Sequence, residues 1–232
     1  MPEPQTTTLQ DALDAAVVSI ADRMRARPEP RKQRERVKHR EITVPQSDDA
    51  KAAWLFAVRA GVGPNLFLTA HWGHAPPKVG GQHPVVRNGL LRDGLKAWLY
   101  RHAPGLPFVW IEVREKTRAL GEHVHLFVHV PEPLQAQFIL AAHRLVARQS
   151  ISMTDTAFKV VQVGPKWWDR LTYVMKGGND EVRQRHGVPS KWSQYQGTIE
   201  GPRVRIAHSI GPTARRAAET ATGGVSNASA VA

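Results

Sequence analysis

PFVWIEVRE at residues 107–115 and EHVHLFVHV at residues 122–130 decide how this chain is read. Both runs are rich in β-branched and aromatic side chains, a short polar loop containing Gly121 joins them, and Pro131 ends the second. Such a pattern predicts a β-hairpin. Alternate side chains of a strand share one face, so His123, His125 and His129 project together, with Phe127 between them.

A buried strand face is ordinarily apolar, and burying several imidazoles without partners costs free energy. This face therefore either meets solvent or binds something. Two histidines at i and i+2, directly after a tight turn, make metal binding competitive with a solvated face, because neutral imidazole is the commonest metal ligand. The partner strand offers Glu112 and Glu115 on its two opposite faces, so only one can join the histidines. Glu115 lies nearer the turn and roughly opposite His123, which favours it; a bulge would favour Glu112 instead. Two nitrogens and one carboxylate with open positions suit Mn²⁺ or Mg²⁺ acting on a phosphate, and the same set would accept zinc.

Outward from the hairpin, the pattern alternates between helix and strand. A helical stretch, DAKAAWLFAVRAG, ends at Gly61 and leads into an extended segment at 65–72, NLFLTAHW. Residues 85–103 show helical spacing of Leu90, Leu91, Leu95, Trp98 and Leu99 in spite of two glycines. After the hairpin come an amphipathic helix at 133–149, a strand from Phe158 to Val163, a helix from Lys166 to Met175 stopped by Gly177 and Gly178, and a last strand at 201–208. Strands separated by single helices, with one tight hairpin, predict an α+β domain with a mostly antiparallel sheet. Residues 8–26 place Leu9, Leu13, Val17, Ile20 and Met24 at helical spacing, and residues 23–40 are dense in Arg and Lys and broken by Pro28 and Pro30. The expected organisation is an N-terminal helix and basic linker over 1–49, one folded domain over 50–211 and a disordered tail over 212–232.

A chain of 232 residues fits one domain with tails. It has no cysteine, which excludes a disulfide framework or a thiolate zinc site and makes a reducing, cytoplasmic setting the simple expectation. No segment approaches the ~20 apolar residues that span a bilayer, so no membrane association is expected. The formal charge of +12 attracts polyanions, which makes nucleic acid the leading partner.

The third chemical element is LTYVMKGG, where Tyr173 and Lys176 stand at i and i+3 and share a helix face. A lysine there can stabilise negative charge on the phenol oxygen or on a phosphate; on its own the pair reads far more readily as an interfacial tyrosine beside a snorkelling lysine. Lys166, Trp167, Trp168 and Arg170 precede the tyrosine, and Arg183, Arg185, Lys191 and Trp192 follow it. Interleaved aromatic and basic residues can stack bases and track phosphates.

In order along the chain, FLTAHW (67–72), HVH (123–125) and YVMK (173–176) resemble the three motifs of the His-hydrophobe-His (HUH) single-tyrosine nucleases that initiate rolling-circle replication. The matching region runs from about residue 64 to about residue 180. The resemblance implies a five-stranded antiparallel sheet with the two histidines on a central strand and the tyrosine on a helix packed beside it. It implies that His123, His125 and Glu115 hold a divalent cation, that Tyr173 is the nucleophile with Lys176 beside it, and that single-stranded or hairpin DNA is nicked and rejoined through a 5′-phosphotyrosine. The first motif carries no expected catalytic role, and His129 is an extra. No GxxxxGK[ST] pattern occurs, so a host helicase and polymerase are expected partners. Two alternatives share the fold: a catalytically inactive DNA-binding regulator, and a transposase or relaxase-type role. A metal-dependent hydrolase unrelated to DNA leaves Tyr173, Lys176 and the positive charge unexplained.

Overall fold

The computed structural model describes residues 37–78, 82–118, 120–164, 167–192 and 196–226. The helix expected over 8–26, all but the end of the basic linker, Lys166 and residues 227–232 lie outside the described residues. In chain order the elements are β1 (Lys38–His39), α1 (Val44–Arg59), β2 (Leu66–His71), α2 (Pro84–His102), β3 (Trp110–Thr117), β4 (Gly121–Val128), α3 (Gln135–Arg148), β5 (Phe158–Gln162), α4 (Trp167–Val174), α5 (Asp180–Arg185), β6 (Ile199–Glu200), β7 (Val204–Ile206) and α6 (Pro212–Ser226). The fold is α+β, as expected.

The predicted hairpin is β3–β4, paired from Trp110↔Val128 to Thr117↔Gly121. Gly121 closes it at φ 65, a left-handed conformation that a side chain would strain. Five strands form one antiparallel sheet in the order β5-β2-β4-β3-β7, which puts the histidine strand β4 in the middle. Both faces are covered, and this explains why β4 is apolar at nearly every position other than the histidines. One face carries Phe67, Ile111, Val113 and Phe127 against Trp54 of α1, Leu171 and Val174 of α4 and Val182 of α5. Trp54 meets Phe127 edge-on, with centroids 4.9 Å apart. The opposite face carries Leu66, Leu68, Val124, Leu126 and Val128 against Leu91, Leu95 and Leu99 of α2 and Phe138, Ala142 and Val146 of α3. One glycine of α2 has a packing use: a Cβ on Gly94 would lie 2.7 Å from Leu145 Cδ2, so glycine lets α2 and α3 approach closely.

Two expected boundaries are corrected. The folded part starts at Lys38, not near Ala50: β1 pairs with β6, and α1 begins at Val44. Pro45 sits in the first turn, where a missing N–H is harmless, and the Gln46 side chain accepts from Thr43 N–H at 3.1 Å. The region from Pro212 is helix α6 through Ser226 instead of a disordered tail. Its proline again opens the first turn, alanines supply intrinsic propensity, and Arg215 ties it to Asp49 of α1 and to the Ile210 carbonyl at 3.0 Å. Among the described residues no helix is long and apolar enough to cross a membrane.

Candidate active site

Sheet register assembles a group of side chains that could hold a metal ion. Glu115 and His71 stand directly opposite His123 on its two neighbouring strands, and Thr69 stands opposite His125. All project to the face covered by α1 and α4. Glu115 is fully buried; its Oε2 lies 3.0 Å from His123 Nε2, 3.5 Å from His125 Nε2 and 2.9 Å from Lys176 Nζ. Glu112 points to the other face, where Arg92 binds it at 2.9 Å, so the choice between the two carboxylates falls on Glu115.

The imidazoles are oriented from behind. His125 Nδ1 lies 2.9 Å from the Thr69 hydroxyl and its ring stacks on Phe67 at 5.2 Å, while His123 Nδ1 lies 3.4 Å from the Gly121 carbonyl. This leaves each Nε2 facing Glu115. His125 Nε2 and Glu115 Oε1 are buried without a hydrogen-bond partner, and such atoms ordinarily have one. One ligand atom from each of Glu115, His123 and His125 lies within 4.8 Å of the others, and among the described residues this trio is the group that could hold a metal ion. Unpaired ligand atoms converging on one point are what a bound cation would satisfy, so the residues fit the ion.

Electrostatics hold Glu115 and His125 in their metal-binding forms. Burial pushes the Glu115 carboxyl up, but the His123 and His125 rings beside it and the nearby Lys176 ammonium win, and it stays well below the usual carboxylate range. Burial pulls His125 down to about 4 against the upward pull of Glu115, so its ring is neutral near pH 7. Ionised carboxylate and neutral imidazole are the forms that bind metal without releasing a proton.

The nucleophile candidate faces the same group. Leu171, Val174 and Met175 are fully buried and fix α4 and the following single turn, Met175–Gly177, against the sheet. That places Lys176 Nζ 3.4 Å from the centroid of the Tyr173 ring while it also binds Glu115. Tyr173 meets His125 edge-on at 5.9 Å and Trp192 at 5.7 Å. Tyr173, Lys176, Glu115, His123 and His125 all line one cleft of about 310 Å³.

The expected DNA-contacting residues divide. Exposed Arg170 lines the cleft, and Lys191 is exposed in the single turn that also carries Trp192. Arg183 and Arg185 are engaged on α5 instead: Arg183 binds Asp180 and the Gly178 carbonyl, and Arg185 binds Asp48 and approaches Glu181. Trp167 opens α4. His129 serves structure, its Nδ1 lying 2.9 Å from the Gly63 carbonyl.

Sequence reasoning gave the first motif no role, yet Phe67, Thr69 and His71 line the cleft, as does Lys159 of β5. Burial, followed by His123, His125, His74 and Lys159, lowers His71 to about 4. The alternation of FLTAH was a usable signal once β2 was known to pair with β4. No family model matches this chain, and no curated protein matches its sequence.

Proposed function

We propose that the protein nicks and rejoins single-stranded DNA through Tyr173, in the manner of an HUH replication initiator. The observation that carries this reading is the meeting of Tyr173, Lys176 and the Glu115–His123–His125 group in one cleft. Any one of these motifs alone has a bland structural explanation. Their convergence from three separate stretches of sequence does not.

The Tyr173 phenol oxygen bonds to phosphorus as the bond from phosphorus to the 3′ oxygen breaks. The phenol gives up one proton and the departing oxygen takes one up, leaving a free 3′-hydroxyl and a 5′ phosphate on tyrosine. Lys176 keeps a positive charge against the ring as the phenol becomes anionic, and Glu115 holds that ammonium in place. A divalent ion, Mn²⁺ or Mg²⁺, held by His123, His125 and Glu115, would supply Lewis-acid polarisation of the scissile phosphate. Thr69 orients His125 for that role. Attack by another 3′-hydroxyl reverses the step and rejoins the strand, so no nucleotide energy source is consumed. Plasmid or phage replication is the setting that suits this chemistry, with a host helicase and polymerase supplying unwinding and synthesis.

The test is incubation of the purified chain and its Tyr173→Phe variant with labelled single-stranded, hairpin-containing DNA pools and Mn²⁺. A covalent protein–DNA adduct on a denaturing gel is expected for the wild type and not for the variant. DNA binding without an adduct across all pools would instead mark an inactive DNA-binding regulator.

A further inference from the structure

The cleft that holds Tyr173 opens on one side. Across the sheet, Glu115 on β3 is 0% exposed, His123 and His125 on β4 are 3% exposed, His71 on β2 is half-buried and Lys159 on the edge strand β5 is exposed. Lys159 pairs with Thr69, and Thr69 pairs with His125, so the three side chains share one sheet face. Lys159 thus lies two strand spacings, about 10 Å along the sheet, from His125. Arg170 borders the same cleft from the helix wall: it is exposed and stands three residues before Tyr173 on α4, on the same helix face.

Charge does not balance at that opening. Glu115 is the one carboxylate among the residues that line the cleft, and Lys176 already meets it at 2.9 Å. Lys159 and Arg170 have no ion pair or hydrogen bond among the described residues, so two positive charges stand there without a counter-ion. The Lys159 charge is felt inside the cleft, where with burial and the neighbouring imidazoles it helps to hold His71 neutral. A lone exposed lysine is ordinarily a solvated charge; here two cations border the cavity that contains Tyr173, and no acid on its walls answers them. Val161, two residues along β5 from Lys159 and on the same strand face, is 38% exposed and lines the cleft as well. A cation beside an exposed apolar side chain matches the phosphate of a nucleotide beside its sugar and base.

We propose that Lys159 and Arg170 form a second phosphate subsite, which takes the phosphate next to the scissile one and leads the DNA strand out of the cleft over β2 to the β5 edge. The identity of the ligand rests on the nuclease reading above. Lys176 works deep in the cleft, on Glu115 and the Tyr173 ring, whereas Lys159 and Arg170 meet backbone charge at its mouth. Contacts to phosphate position a strand without reading its bases, so this subsite fixes where the strand lies and leaves sequence choice to other residues.

Fluorescence anisotropy with a homopolymeric single-stranded oligonucleotide, over a range of salt, tests this on the full chain carrying Tyr173→Phe so that no strand is cut. Adding Lys159→Gln or Arg170→Gln to that parent is expected to reduce the slope of log affinity against log salt by about 0.7 in each case, the signature of one phosphate contact on a single strand. Lys159→Arg should keep the parent slope. Lys96→Gln removes the same charge from α2, which packs on the opposite face of the sheet, and should leave the slope unchanged. The parent slope in Lys159→Gln or in Arg170→Gln overturns the subsite. An equal loss of slope in Lys96→Gln and Lys159→Gln also overturns it, because net charge alone would then set the slope. The expected slopes without a Tyr173 adduct from the wild-type chain would count against the nuclease reading and leave the phosphate subsite standing; an adduct with unaltered slopes would do the reverse.

Discussion

Glu112 and Glu115 lie three residues apart on β3, both almost wholly buried, both bound to a cation at 2.9 Å, and they do different work. Glu112 faces a guanidinium that itself stacks on Trp110, an arrangement complete without any ligand apart from one unpaired oxygen. Glu115 faces two imidazoles as well as an ammonium, and unpaired ligand atoms remain on both sides. A buried carboxylate with a cation is thus no sign of a site in itself; the number of further metal-binding atoms aimed at the same point is. Thermal or denaturant unfolding with and without Mn²⁺ puts this contrast to work. At about a hundred times its dissociation constant, an ion that binds only the native state adds about 2.7 kcal/mol. Wild type and Glu112→Gln should both show that gain, and His125→Ala should show none. An equal gain in His125→Ala would remove the distinction between the two carboxylates.

The next effect is on stability without metal. Glu112→Gln should lower unfolding free energy by about 1–3 kcal/mol, because one charge-assisted bond weakens while Gln can still accept from Arg92. A larger loss, near the ~3–5 kcal/mol of a broken buried ion pair, is not expected, since Arg92 is partly exposed and can reach water. Thr69→Val sharpens the other side. It should weaken Mn²⁺ binding by about tenfold, because an outer partner of a ligating histidine acts through orientation, and lower the metal-free stability by about 1–3 kcal/mol, because His125 Nδ1 loses its buried partner. Titration calorimetry reads this directly, and unchanged affinity would mean that the Thr69 contact does not orient His125.

Why were some of these residues legible in the sequence and others not? The hairpin, both histidines, the preference for Glu115 and the pairing of Tyr173 with Lys176 rest on local periodicity: period two along β3 and β4, and i to i+3 near the end of α4. Thr69 and His71 required knowing that β2 lies beside β4, a pairing across more than fifty residues that nothing local specifies. The same limit hid the fate of Arg185, whose partner Asp48 is 137 positions away. It also hid α6, whose anchoring contact runs from Arg215 to Asp49. The start of α1 was missed for a local reason: Pro45 reads as a breaker unless it is recognised as an opening-turn residue.

His71 provides the smallest and most specific test, because it belongs to the ligand-bearing rung of the sheet without belonging to the metal-ligating trio. Its native value is about 4 against an ordinary 6.5, lowered first by burial and then by His123, His125, His74 and Lys159. The native ring therefore stays neutral over a range in which the unfolded ring takes up a proton, so the unfolded state binds more protons and stability falls as pH falls. That contribution is fully present above about 6.5 and is lost progressively as pH drops through about 4. A His71→Asn variant lacks the titrating group, so without metal its melting temperature should fall less steeply than that of wild type over this window. The ring is only partly buried, so water can relax around the charge and the divergence should amount to a few degrees. Parallel curves from neutral pH to about 4 would show that the ring is not held neutral, and would remove His71 from the electrostatic unit formed with His123 and His125.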